Sequence, residues 1–197
     1  VFYVMAVRFS IGALLCLIGI RRHFLKFDRQ TVILGVLAGI LLFVAEIFQT
    51  YGLVYTTPAK NAFLTTIYCV IVPFLTWIFY RKRPSWTVFL AAGICIAGIG
   101  CISLTENLTM GIGDILTLIC GFFYAMHIIV LDKARKINVI LLCLIQFSVT
   151  AALSWIASPI AGEHVDPSSF SQECWLSIVY MGICCSGLCF FFQAYGQ

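Results

Sequence analysis

The sequence predicts an all-α membrane protein, a polytopic bundle of transmembrane helices. Three observations predict it. Hydrophobic residues make up 62% of the 197-residue chain and charged residues 10%, against roughly 45–50% and 25% in a soluble domain. Mean hydropathy is +1.05, more apolar surface than a water-soluble fold of this length can hide. The apolar runs are continuous, about twenty residues each, as a helix crossing a bilayer needs. Barrel strands would instead alternate apolar and polar over about ten residues. Lipid leaves no other way to satisfy the backbone.

Seven spans follow in order, at about 1–20, 31–55, 59–80, 85–103, 113–131, 138–160 and 173–195. Each reaches across a hydrocarbon core of roughly 30 Å at about 1.5 Å per residue. Charge in the connections orients them. Arg21, Arg22, Lys26 and Arg29 follow the first span, Arg81, Lys82 and Arg83 the third, and Lys133, Arg135 and Lys136 the fifth. The intervening connections hold Lys60 but also Glu106, Asp114, Glu163, Asp166 and Glu173. Basic loops stay inside, so 21–30, 81–84 and 132–137 are expected to be cytoplasmic, in a multi-pass cell (cytoplasmic or inner) membrane protein. The net charge of +4 belongs to these loops and is no nucleic-acid footprint.

The chain repeats itself. Phe48-Gln49-Thr50-Tyr51-Gly52 returns as Phe192-Gln193-Ala194-Tyr195-Gly196, 144 residues later. Arg8-Phe9-Ser10 returns as Gln146-Phe147-Ser148 at an offset of 138. The first span thus matches the sixth and the second the seventh, a period of five. Five is odd, so the second unit is expected upside down relative to the first, the inverted-repeat plan of secondary transporters. The repeats are expected at 1–104, lacking a first helix, and 113–197, lacking the last two. The whole would have about ten helices, of which this chain holds seven.

Ionisable groups inside a bilayer are costly and mark function or structural pairs. Arg8 and Glu46 lie roughly 18 Å and 22 Å from the cytoplasmic ends of consecutive spans. Either they lock the two helices together as an ion pair, or one of them is a cavity charge that binds substrate or carries a proton. Gln49 shares a helical face with Glu46. With Gln193 it faces a cavity or bonds between helices as polar glue. Gln146 is the uncharged counterpart of Arg8. Thr56-Thr57-Pro58-Ala59-Lys60-Asn61 opens the third span, with Pro58 suited to a helix start. Lys60 either snorkels outward or draws anionic groups inward, and Asn61 follows it. Pro73 is expected to kink the third span. His127 either bonds a neighbouring helix or shuttles protons, and Asp114 is expected to cap its helix. Ten cysteines lie without Cys-x-x-Cys spacing and read as packing residues. No metal, cofactor or catalytic constellation is expected, and no enzyme. The Gly93, Gly98 and Gly100 helix reads as a packing or homodimer face.

The run Gln49, Tyr51-Gly52-Leu53-Val54-Tyr55-Thr56-Thr57, Lys60-Asn61-Ala62-Phe63-Leu64-Thr65 and Val72-Pro73 resembles the EamA-type transporters of the drug/metabolite transporter superfamily. Arg8-Phe9, Gly113-Asp114 and Ala125-Met126-His127-Ile128-Ile129 extend the resemblance over nearly the whole chain, from the family's second span to its eighth. Pro58-Ala59 departs from it, since an Ala-Gly pair is more usual before the lysine. The resemblance implies two inverted five-helix repeats around a central cavity. It also implies export or exchange of small metabolites or drugs, with or without a proton gradient.

The expected function is therefore a secondary transporter working by alternating access. Its cavity candidates are Glu46, Arg8, Gln49, Lys60, Asn61, Gln146 and Gln193, and its proton-coupling candidates are Glu46 and His127. A small-molecule substrate and the bilayer are its expected partners. The alternative is a membrane interaction or scaffold protein that keeps the fold and moves nothing.

Overall fold

The computed structural model describes residues 1–20, 28–81, 83–104, 111–134, 137–163, 165–166 and 170–196. These include the seven expected spans. Most of the basic loop residues that orient them, with Glu106, lie outside the described residues. Helix α1 is Phe2–Ile20, α2 Arg29–Val54, α3 Pro58–Thr65, α4 Tyr68–Tyr80, α5 Trp86–Leu104, α6 Ile112–Lys133, α7 Val139–Ile160 and α8 Gln172–Tyr180. A π-helical segment, Met181–Cys189, leads from α8 into α9, Phe190–Tyr195. All regular structure among the described residues is helical. Five stretches are long and apolar enough to span a membrane: Arg29–Val54, Pro58–Tyr80, Ile112–Lys133, Val139–Ile160 and Gln172–Tyr195. Thirty ångströms of hydrocarbon, roughly twenty residues of helix, is the requirement they meet.

The residues pack as two compact units, Val1–Phe43 with Val130–Gln197, and Val44–Ile129. Each unit takes helices from both halves of the sequence.

In the first unit, α1 lies antiparallel on α7. The backbone N–H groups of Phe2 and Tyr3 donate to the Glu163 carboxylate at 3.0 and 2.9 Å, just beyond the end of α7. The α1 N-terminus, whose first amides lack helical partners, is thereby capped. Further along, Trp155 Nε1 donates to Ser10 Oγ at 3.2 Å. The Phe9 and Phe147 rings meet at 6.0 Å, and Phe190 completes the aromatic cluster at 6.3 and 6.2 Å. Helix α2 enters the same unit where Thr150 Oγ1 donates to the Gly39 carbonyl at 3.0 Å.

The third span carries a break that the sequence does not announce. Helix α4 continues through Pro73, and a separate interruption falls earlier, at Thr66 and Ile67. There the amides of Thr66, Ile67, Cys69 and Val70 bond three residues back, to Phe63, Leu64, Thr66 and Ile67. The Thr65 and Thr66 hydroxyls donate to the Asn61 and Phe63 carbonyls at 2.8 and 2.6 Å. Hydroxyls that compete for helix carbonyls bend or tighten the turn. The threonine pair therefore sets the break. The last helical carbonyls of α4 are released at Arg81, which ends it with φ 55°.

Candidate functional site

Where α2 ends, its backbone approaches α6 closely. A Cβ on Gly52 would lie 2.6 Å from Thr117 Oγ1, and one on Gly113 would lie 2.8 Å from the Gly52 carbonyl oxygen. Glycine at both positions is what lets the helices meet. The contact brings three polar helix segments together in the second unit.

At the end of this contact, Thr57 caps α3, its Oγ1 accepting from Lys60 N at 3.3 Å, with Pro58 in the first turn. This start turns Lys60 inward. Its Nζ lies 2.7 Å from Asp114 Oδ2, the two side chains being 8% and 3% exposed. Of the two alternatives for Lys60, snorkelling is overturned: the ammonium is buried against a carboxylate. Asp114 caps as expected, taking Gly111 N at 3.0 Å, and also accepts from Thr56 Oγ1 at 3.0 Å. A cavity of about 470 Å³ opens beside the pair, lined by Val54, Tyr55, Thr56, Thr57, Lys60, Gly111 and Asp114. A buried pair is tolerated when hydrogen bonds satisfy its remaining lone pairs, and Thr56 and Gly111 do so here.

Asn61, one residue on, is buried. Its Nδ2 donates to Thr117 Oγ1 at 2.9 Å and to the Gln49 carbonyl at 3.2 Å. Deeper along α2, Glu46 is 3% exposed. The Tyr124 hydroxyl from α6 sits 2.9 Å from Glu46 Oε1 and 2.9 Å from Gln49 Oε1. Glu46 and Gln49 thus share a face, as their spacing predicts, and converge on one phenol. Tyr68 packs on that phenol, ring centroids 6.2 Å apart. His127 is fully buried on α6, one turn beyond Tyr124.

The second unit therefore gathers Glu46, Gln49, Lys60, Asn61 and His127. The first unit holds Arg8, Gln146 and Gln193. The Arg8 guanidinium carbon lies 4.8 Å from the Phe9 ring centroid. Gln146 is fully buried, its Nε2 3.7 Å from Cys143 Sγ. Gln193 is half-buried on α9. Sequence reasoning missed Tyr124, Thr117 and the role of Asp114 as the partner of Lys60. A signal for Tyr124 was its place three residues before His127, on the same helical face.

A bundle with five stretches long and apolar enough to cross a bilayer defines a polytopic helical membrane protein. The chain belongs to the EamA-like transporter family, whose model matches residues 1–104 and 111–197. It is 32% identical over 108 residues to an uncharacterized transporter of Archaeoglobus fulgidus, covering 53% of this chain and 33% of that protein. It is 25% identical over 191 residues to an uncharacterized transporter of Acidianus ambivalens, named for the sor 3′ region, covering 96% of this chain and 71% of the relative. The chain thus spans a third of the first relative and under three quarters of the second. A solved structure described as "Crystal structure of protein" shares the fold with a TM-score of 0.74 at 17% identity, over 99% of this chain and 69% of that one.

Proposed function

We propose that this chain is part of a secondary transporter that moves small metabolites or drugs across the cell membrane by alternating access, coupled to protons at Glu46. The observation that carries the reading is the cluster of Glu46, Gln49 and Tyr124. The Tyr124 hydroxyl owns one proton and lies within hydrogen-bond distance of two acceptors. With Glu46 ionised, the phenol proton can go to Glu46 or to Gln49 but not fully to both, unless the Gln49 amide turns over. With Glu46 protonated, Glu46 can donate to Tyr124 while Tyr124 donates to Gln49, so both contacts are hydrogen bonds at once. Loading and releasing a proton therefore rewires the hydrogen bonds between α2 and α6. A carrier needs such a differential to bias one orientation over the other.

Inverted repeats would supply the two orientations. The packing of α1 on α7 supports them: these spans are repeat counterparts, they run antiparallel, and equivalent residues Phe9 and Phe147 touch at 6.0 Å. Self-contact of equivalent residues is what a two-fold axis through that point produces.

Full-length protein in liposomes tests the function. Metabolites that raise its melting temperature would be assayed for saturable flux under an imposed pH gradient. Glu46→Gln should fold and bind, yet lose the response to the gradient. Flux that is absent for every stabilising ligand would leave only a scaffold, and unchanged coupling in Glu46→Gln would remove the glutamate from the mechanism.

A further inference from the structure

The π-helical segment interrupts the helix that is the repeat counterpart of α2, while α2 itself runs as unbroken α-helix from Arg29 to Val54. Two landmarks locate what differs. A Cβ on Gly39 would lie 2.8 Å from the Val149 Cβ, and a Cβ on Gly182 would lie 3.0 Å from the Ile11 Cβ. Ile11 and Val149 are equivalents at the offset of 138 read from the first and sixth spans. The two close contacts are therefore the same contact made twice, which pairs Gly39-Ile40 with Gly182-Ile183 at an offset of 143. The Phe48-Gln49 segment pairs with Phe192-Gln193 at 144. One additional residue has entered the second copy between Gly182 and Phe192, and Met181–Cys189 occupies that interval.

We infer that the π segment is a one-residue insertion, and that its role is to return Gln193 to the helix face that Gln49 holds in the first copy. The angles require it. Ten residues separate Gly39 from Gln49 and eleven separate Gly182 from Gln193. Each residue of regular α-helix turns the chain by about 100°, so an unabsorbed insertion would swing Gln193 about a quarter turn away. Widening to i→i+5 bonding takes up the extra residue and restores the phase. The segment also leaves Ser186 Oγ buried without a hydrogen-bond partner among the described residues, where the first copy has the apolar Leu42-Phe43. π-Bulges of this kind recur at functional sites. Gln193 is thereby a positioned counterpart of Gln49, and the inference rests on the duplicated plan behind the transport reading.

Deleting one residue tests it without measuring flux. In the full-length protein, deletion of the exposed Cys185 should convert the segment to α-helix and keep every downstream face. The melting temperature should stay within about 4 °C of the parent, the shift that roughly 1 kcal/mol produces in a chain this size. In a cysteine-depleted background, maleimide reactivity at Gln193→Cys and Ala194→Cys should be the same with and without the deletion. Deletion of Leu41 in α2 has no bulge to absorb it, and should lower the melting temperature several times further. Equal loss from both deletions would overturn the inference, as would an exchange of reactivity between positions 193 and 194. A protein that tolerates the Cys185 deletion yet shows no flux would keep the register device and discard the transport reading.

Discussion

Individual side chains decide how much of the polar cluster is stability and how much is mechanism. Lys60 and Asp114 are buried together, so removing one leaves an uncompensated charge. Lys60→Met should cost about 3–5 kcal/mol, and adding Asp114→Leu should recover most of it, because a buried pair and an apolar pair of similar volume are often equivalent. Thermal unfolding of the two variants and the double variant measures this. Recovery would class the pair as a structural lock; a double variant that stays stable but loses flux would place it in the transport path. Tyr124→Phe is the complementary case. It deletes one hydroxyl from a packed ring and removes a donor shared by two acceptors, a loss of about 1–3 kcal/mol. The pH response of flux should flatten with it, as in Glu46→Gln, since the phenol is what links Glu46 to Gln49. A variant that is destabilised but keeps its full pH response would leave the tyrosine purely structural. Glu46 and Gln49 were legible in the sequence as polar residues one turn apart in an apolar run. Tyr124 was less so, because tyrosine is ordinary in membrane helices and its place three residues before His127 marks a face without naming the helix it donates to.

Helices were read well and their interruptions were not, for a physical reason. Hydropathy counts side chains, and the predicted bounds of 1–20 and 138–160 come within one residue of Phe2–Ile20 and Val139–Ile160. Breaks are made by the backbone. A proline such as Pro73 is visible in the sequence, whereas the tightened turn at Thr66 comes from hydroxyls that take the carbonyls. The π segment left its only trace in the changed offset between repeat landmarks. Close helix approach is likewise a backbone matter, and Gly52 tests it. A Cβ there meets Thr117 Oγ1 at 2.6 Å and the Gly113 carbonyl at 3.1 Å. Gly52→Ala should therefore destabilise by about 1–3 kcal/mol, as overpacking does. Adding Thr117→Ala should give back part of it, since the Gly113 carbonyl remains in the way. Full recovery would mean that the hydroxyl alone sets the spacing of α2 and α6.

At the scale of the whole molecule, the charge pattern and the repeat make one joint demand. The repeat has a period of five spans, and connections that alternate between sides then require that equivalent helices run in opposite senses. Helices α1 and α7 do run antiparallel, meeting at Phe9 and Phe147. The remaining question is which side faces the cytoplasm. Positive loops resist translocation, so the connections after the first, third and fifth spans should lie inside. Single cysteines at Ala59, Ser85 and Ala161, all exposed, read this directly in a cysteine-depleted full-length protein. A membrane-impermeant maleimide applied to intact cells should label Ala59→Cys and Ala161→Cys, and Ser85→Cys only after lysis. Labelling in the reverse order would invert the protein and place the Lys60–Asp114 cavity on the cytoplasmic side. Labelling of Ala59→Cys and Ala161→Cys from opposite sides would break the parity on which the inverted repeat depends, and the alternating-access proposal would lose its two symmetric orientations.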